Sequence, residues 1–320
     1  VTYPAGVLAV SIGKETTESV PVTPTYSLPV TTCEPADNHA PGVDTSWRGA
    51  PATSFGHVLG PLDGALHLAG PVYADTIGFA LAGMLGDLTT TAGTPNTHAI
   101  ALLNSGLQQP PSYTLYTADA YSCLQWAAGN FADLTLSSSG SGVLTWDAHL
   151  MSLSGVPVTA PTPNFTGLAQ FAGWRGAVQL GGSADIHVLS ATTKLSRPVT
   201  GKRNVDGTQA PYQIRADELD VSGQMTLAMN SDTYRASYIT GASTSVDITY
   251  SQGAGAGLQQ VQLHCSNVTF TDVRRSYGGR WIELSLAWFA DATTTDAGAS
   301  GGRSPIKATL RNTVASGIYA

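Results

Sequence analysis

Asp217, Glu218 and Asp220 form the tightest group of carboxylates in the chain. Carboxylates this close could share acid–base work or hold Ca²⁺. A Ca²⁺ loop needs turn geometry and regularly spaced oxygens, whereas Asp220 opens a segment of strict alternation. A solvated acidic face is therefore expected. Arg274, Arg275 and Arg280, with Tyr277 among them, could stack on and grip nucleic acid. The chain carries a formal charge of −7, so a hairpin tip that pairs with a neighbouring subunit's carboxylates is the better reading of these arginines.

The seven histidines are scattered, none at i,i+4 from another, and several fall on the polar side of alternating segments. Structural or interfacial roles are expected for them rather than metal ligation. Cys33, Cys123 and Cys265 are odd in number and far apart, which is neither a disulfide framework nor a zinc spacing. Three buried or half-buried thiols in a reducing compartment are expected. HExxH, CxxC, P-loop and GxSxG motifs are all missing. Asn164-Phe-Thr166 and Asn267-Val-Thr269 match glycosylation sequons and read as chance. Nothing here is a catalytic constellation, and neither an enzyme nor a cofactor or metal is expected.

The elements that must position these side chains are mainly strands. Ala132, Leu134 and Leu136 alternate with Asp133, Thr135 and Ser137. Leu144, Trp146, Ala148 and Leu150 alternate with Thr145, Asp147 and His149. The Ser138–Gly142 turn between them predicts an antiparallel hairpin. Val221, Met225 and Leu227 alternate with Asp220, Ser222, Gln224 and Thr226. Val246, Ile248 and Tyr250 alternate with Asp247 and Thr249, Val261, Leu263 and Cys265 with Gln262 and His264, and Leu284, Leu286 and Trp288 with Glu283 and Ser285. The fold class is all-β and mainly antiparallel.

One helix is predicted over 74–88, with Asp75 as N-cap and with Gly78, Gly83 and Gly86 permitting close packing on a sheet. A short helical turn is also compatible with 231–238. Residues 29–51 and 291–304 read as irregular or flexible. The strand-like ends, 6–12 and 306–310, read as arms suited to adding strands to a neighbour's sheet, with Ile306, Ala308 and Leu310 forming the inter-subunit strand at the back. Three regions follow: an arm and irregular loop over 1–50, a β-rich body over 51–304 and a terminal strand over 305–320. A subdivision of the body near residue 160 and a single sandwich fit the pattern equally.

Composition bounds the partners. Of 320 residues only 12% are charged, against about 25% in an average soluble domain. Four lysines and five glutamates are too few to wet a typical monomer's surface. Either much of that surface is hidden in an assembly, or a GC-rich genome has biased the codons. The longest apolar run, near 77–85, is far short of the roughly 20 residues of a membrane span. The opening VTYPAGVLAV has no basic residue ahead of its apolar stretch, so no secretion leader is expected.

From Pro51 to Ala320 the order of motifs resembles the tail tube (major tail) proteins of long, non-contractile bacteriophage tails. The motifs are the Gly/Pro-punctuated SFGHVLGPLDGALHLAGP (54–71), FALAGMLGD (79–87), THAIALLNSGLQQPPSYTLYTADAY (97–121) and GNFADLTLSSSGSGVLTWDAHLMSLSG (129–155). The chain then closes on PIKATLRNTVASGIYA, with Leu310, Asn312 and Tyr319 at the family's positions.

The resemblance implies a β-sandwich or barrel-like protomer with a flanking helix. Six protomers would close a ring, and rings would stack into a hollow tube in the virion tail, assembled in the host cytoplasm. The implied partners are further copies of the chain, a tape measure protein, tail terminator and tip proteins, and genomic DNA in transit. An acidic lumen suits that passage, because a negative wall repels phosphate. Asp133, Asp147, Asp220 and Asp247 are therefore expected at the lumen or at ring interfaces. The competing reading is a soluble β-sandwich binding module of a baseplate or carbohydrate-binding type, which would carry exposed aromatics on a sheet face.

Overall fold

The computed structural model describes residues 6, 8–229, 231–278 and 281–320. Alternation governs the architecture, as the sequence predicts, because every long strand turns one row of side chains inward. The expected hairpin forms, with Leu136 opposite Trp146 and Leu134 opposite Ala148. All four side chains are buried in one continuous apolar core.

The main sheet is antiparallel and strongly extended. Thr32–His39, Leu62–Pro71, Thr145–Ser152, Cys123–Ser139, Val188–Ser196, Asp220–Ala228, Glu283–Ala290 and Gln259–Ser276 are hydrogen-bonded neighbours in that order. The first half of Gln259–Ser276 also lies between Thr244–Gln252 and Lys307–Asn312. A second group, Tyr26–Leu28, Ala9–Lys14 and Tyr113–Ala118, joins the first half of Cys123–Ser139. That 17-residue strand thus serves both sheets. It changes course at Ala128, which holds φ of 55°, and its register shifts between Trp126 and Gly129. The assembly of strands is barrel-like.

The helix is Ile77–Leu85, shorter than the predicted span, and all nine residues are buried. It plugs the core instead of flanking it. Gly78 and Gly83 make this fit feasible: a Cβ at 83 would lie 2.9 Å from Tyr113 Cε2 and nearer still to Phe131, and one at 78 would overlap the Tyr319 ring. Asp75 does not cap the helix. Thr76 holds that position without a side-chain bond, and Asp75 is buried with Oδ1 lacking a hydrogen-bond partner. Desolvation raises its pKa. A second helix, Thr233–Thr240, forms close to the expected helical turn.

Three expectations are corrected by packing. The front strand Ala9–Lys14 is no free arm. It pairs within the protomer on both edges, and Val10 and Ile12 are wholly buried. Residues 29–51 contain the strands Thr32–His39 and Gly42–Asp44. The 291–304 segment is pinned: Asp296 accepts from the Ser266 amide at 2.8 Å, and Asp87 accepts from the Ser300 amide at 2.7 Å. No helix among the described residues is long and apolar enough to cross a membrane.

Candidate functional site

The outward face of the main sheet carries one continuous row of side chains. Glu34, His67, His149, Asp133, Ser196 and Asp220 are consecutive cross-strand partners over six strands. Their neighbours along each strand, such as Leu66, Leu68, Ala148, Leu150, Leu134, Leu195 and Val221, point into the core. The two-residue period of the strands therefore puts the apolar and ionisable sets on opposite faces.

Within the row the contacts are specific. His67 reaches Glu34 through Nδ1 at 3.1 Å and Asp147, on the adjoining row, through Nε2 at 3.0 Å. His149 reaches Asp133 through Nδ1 at 3.0 Å, and its backbone N–H donates to the same carboxylate at 3.0 Å. The two imidazoles stack at 4.4 Å with only 9° between their planes. A carboxylate on each ring nitrogen favours the cation, so the His67 pKa is raised, first by Asp147 and then by Glu34.

The four aspartates expected together do not all meet. Asp133 and Asp147 join the histidine cluster, and Asp220 lies two strands beyond Asp133 in the same row. Asp247 is on the far wing of the sheet, where it accepts from Gln262 and contacts His264 at 3.1 Å. Asp217 and Glu218 are exposed, in keeping with a solvated cluster.

The arginines of the hairpin tip find carboxylates within the chain itself. Arg274 Nε lies 2.6 Å from Asp272, and Arg275 pairs with Asp232. Arg280 lies outside the described residues. Ile306, Ala308 and Leu310 are fully buried. The strand Lys307–Asn312 is bonded on one edge to Gln259–Ser276 and on the other to Asn96–Leu102. With both edges occupied it has no ladder to offer a neighbour, so the expected inter-subunit strand is corrected to a core strand. Its alternating apolar triplet, read as an arm, was a burial signal.

Sequence reasoning missed the histidines as partners of the aspartates. The usable signal was their placement on polar faces, but the register that joins His67 to residues 80 positions away is not a local property. Cys123 and Cys265 are buried and Cys33 half-buried, all as free thiols.

Two further exposed clusters are apolar. Among the described residues Gly42–Asp44 pairs only with Gly56–Val58, and this separate ribbon carries Val43, Trp47, Val58 and Leu59 exposed, Trp47 completely so. Exposed Trp281, Tyr277 and Ile282 mark the tip near Arg274 and Arg275. Clusters of this kind mark protein contacts. By contrast Trp126, Trp146 and Trp288 are all core residues.

A family model described as phage tail tube protein matches residues 7–314 of the chain. No curated protein matches it.

Proposed function

Since the chain belongs to the phage tail tube protein family, a structural component of the phage tail, we propose that its copies close into stacked rings, six to a ring, around an acidic lumen that conducts genomic DNA. The observation that carries this reading is the outward sheet face with Glu34, Asp133, Asp147 and Asp220 on adjoining rows. Such a wall repels phosphate and lets a duplex slide without adhering. Asp247 would extend it on the far wing.

Self-association draws support from the ribbon bearing Val43, Trp47, Val58 and Leu59, which leaves apolar surface uncovered in a single copy. It also fits the scarcity of lysine and glutamate. The outer edge of Thr32–His39, with Pro35 and Glu34 guarding it, is the protomer's most exposed long strand. A tape measure protein in the lumen and terminator and tip proteins at the ends complete the arrangement, with assembly in the host cytoplasm.

The competing binding module would need aromatic side chains on an open sheet face. The exposed tryptophans Trp47, Trp174 and Trp281 lie instead on loops, the 173–175 turn and a hairpin tip, and among the exposed aromatics of the described residues Phe289, 38% exposed on Glu283–Ala290, is alone on a long strand. Electron microscopy of the purified protein tests the proposal. Striated hollow tubes or six-fold rings are expected. A protein that stays monomeric at high concentration, even when seeded with tail tips, would overturn it.

A further inference from the structure

The histidine cluster has the composition of a metal centre that nothing in a tail tube's structural role requires. One ring nitrogen each from His67 and His149 and one carboxylate oxygen of Asp147 lie within 4.8 Å of one another. Two imidazoles and a carboxylate form a typical ligand set for Zn²⁺, with water completing four-coordination.

The surrounding groups make the case stronger than the ligand types alone. The Nδ1 of His67 is held by Glu34 at 3.1 Å, and the Nδ1 of His149 by Asp133 at 3.0 Å. A carboxylate on Nδ1 fixes the tautomer that carries its lone pair on Nε2, which is the usual outer support of a metal-bound histidine. The Nδ1 partners leave Nε2 of both rings for an ion, and because an imidazole takes a metal in its own plane, the stacked rings have to tilt toward one another to share it. Five ionisable groups from four adjacent strands converge here, and three of them are carboxylates. With neutral imidazoles the cluster holds three negative charges, a potential that attracts a dication.

We propose that His67, His149 and Asp147 bind a divalent transition metal of the zinc class, with Glu34 and Asp133 as positioning residues. The metal enters between His67 Nε2 and the Asp147 carboxylate, and any proton held on Nε2 leaves to solvent as it binds. A tetrahedral zinc site with bonds of about 2.0 Å has ligand-to-ligand edges of about 3.3 Å. Closing from 4.8 Å asks for about 1.5 Å of side-chain movement together with a tilt of the His149 ring out of its stack on His67. His149 has that freedom, since its side chain is 54% exposed.

The test is equilibrium dialysis of the purified protein against zinc chloride, with elemental analysis and, in parallel, Co²⁺ absorption spectroscopy. About one metal per protomer is expected, with the ligand-field bands of tetrahedral Co²⁺. His149→Ala and Asp147→Asn should lose the metal while circular dichroism stays unchanged. Asp133→Asn should weaken binding about 10- to 100-fold. His264→Ala, at the separate Asp247 pair, should leave uptake intact. No uptake by the wild-type protein, full uptake by His149→Ala, or loss of metal in His264→Ala alone would each overturn the proposal.

Discussion

The side-chain amide of Asn312 donates to the phenol oxygen of Tyr319 at 3.0 Å, and that phenol donates to the carbonyl of Asp75 at 2.8 Å. The same amide donates to the carbonyl of Ala74, while the Asn312 oxygen accepts from the Val314 amide. Both side chains are buried. They clasp the end of the chain to the entry of the Ile77–Leu85 helix. Tyr319→Phe should cost about 1–2 kcal/mol and Asn312→Ala about 3 kcal/mol, since the latter strands several buried groups. Denaturant unfolding measures both.

His98 belongs to this clasp and sets a pH dependence. Its Nε2 lies 2.9 Å from Asn312 and its Nδ1 2.9 Å from Thr90, with the Tyr319 ring against it. Burial lowers its pKa from the ordinary 6.5. The unfolded chain therefore takes up the proton first as pH falls. The stability from this site is complete above the unfolded pKa and is lost as pH drops from there toward the folded one. Thermal unfolding from about pH 8 to about pH 5 should show a decline that is shallower in His98→Gln. Parallel curves for the two proteins would refute it.

Gly83→Ala tests the helix packing. Alanine is the better helix former by about 1 kcal/mol. Its methyl would lie 2.9 Å from Tyr113 Cε2 and closer to Phe131, both fixed in the core. Overpacking of about 1–3 kcal/mol should exceed the gain and leave the variant less stable, with a lower denaturation midpoint.

Glu15 is buried and accepts four hydrogen bonds, from the amides of Ala128 and Ser19 and the hydroxyls of Ser112 and Thr114. It anchors the bend at Ala128. Glu15→Ala should cost about 3 kcal/mol by leaving those donors unmet. Hydrogen exchange at the Ala128 amide should quicken markedly. Glu15→Gln, which keeps one carbonyl oxygen, should lose less.

Trp47→Ser should separate folding from assembly. The side chain is fully exposed, so the free energy of unfolding should stay within about 0.5 kcal/mol of wild type. Tube yield by electron microscopy should fall steeply. Unchanged tubes would remove the ribbon from the proposed contact.

Much of the fold was legible because strands and burial share a two-residue period. The 131–137 and 144–150 pair could be read as a hairpin, since a short turn joins it. The pairing of Leu62–Pro71 with Thr145–Ser152 could not, because it joins residues separated by a long stretch of chain. That non-local pairing is what brings His67 to Asp147 and creates the histidine cluster. The terminal strand was misjudged for a related reason: flexible-looking sequence precedes it, and only the ladders on both its edges reveal it as interior. Asp75 looked like a helix cap because its spacing suits one, yet its burial among Tyr26, Tyr319 and the helix start decides otherwise.

The strand Cys123–Ser139 carries a mechanical consequence. One unbroken backbone is rooted in both sheets, so a sliding displacement of either has to be transmitted through Ala128 and the Glu15 anchor beneath it. The shared strand thereby couples the two sheets into one body. In the proposed stacked rings, curvature would accumulate at the joints between copies, and the filament would flex without altering the bore that each ring encloses.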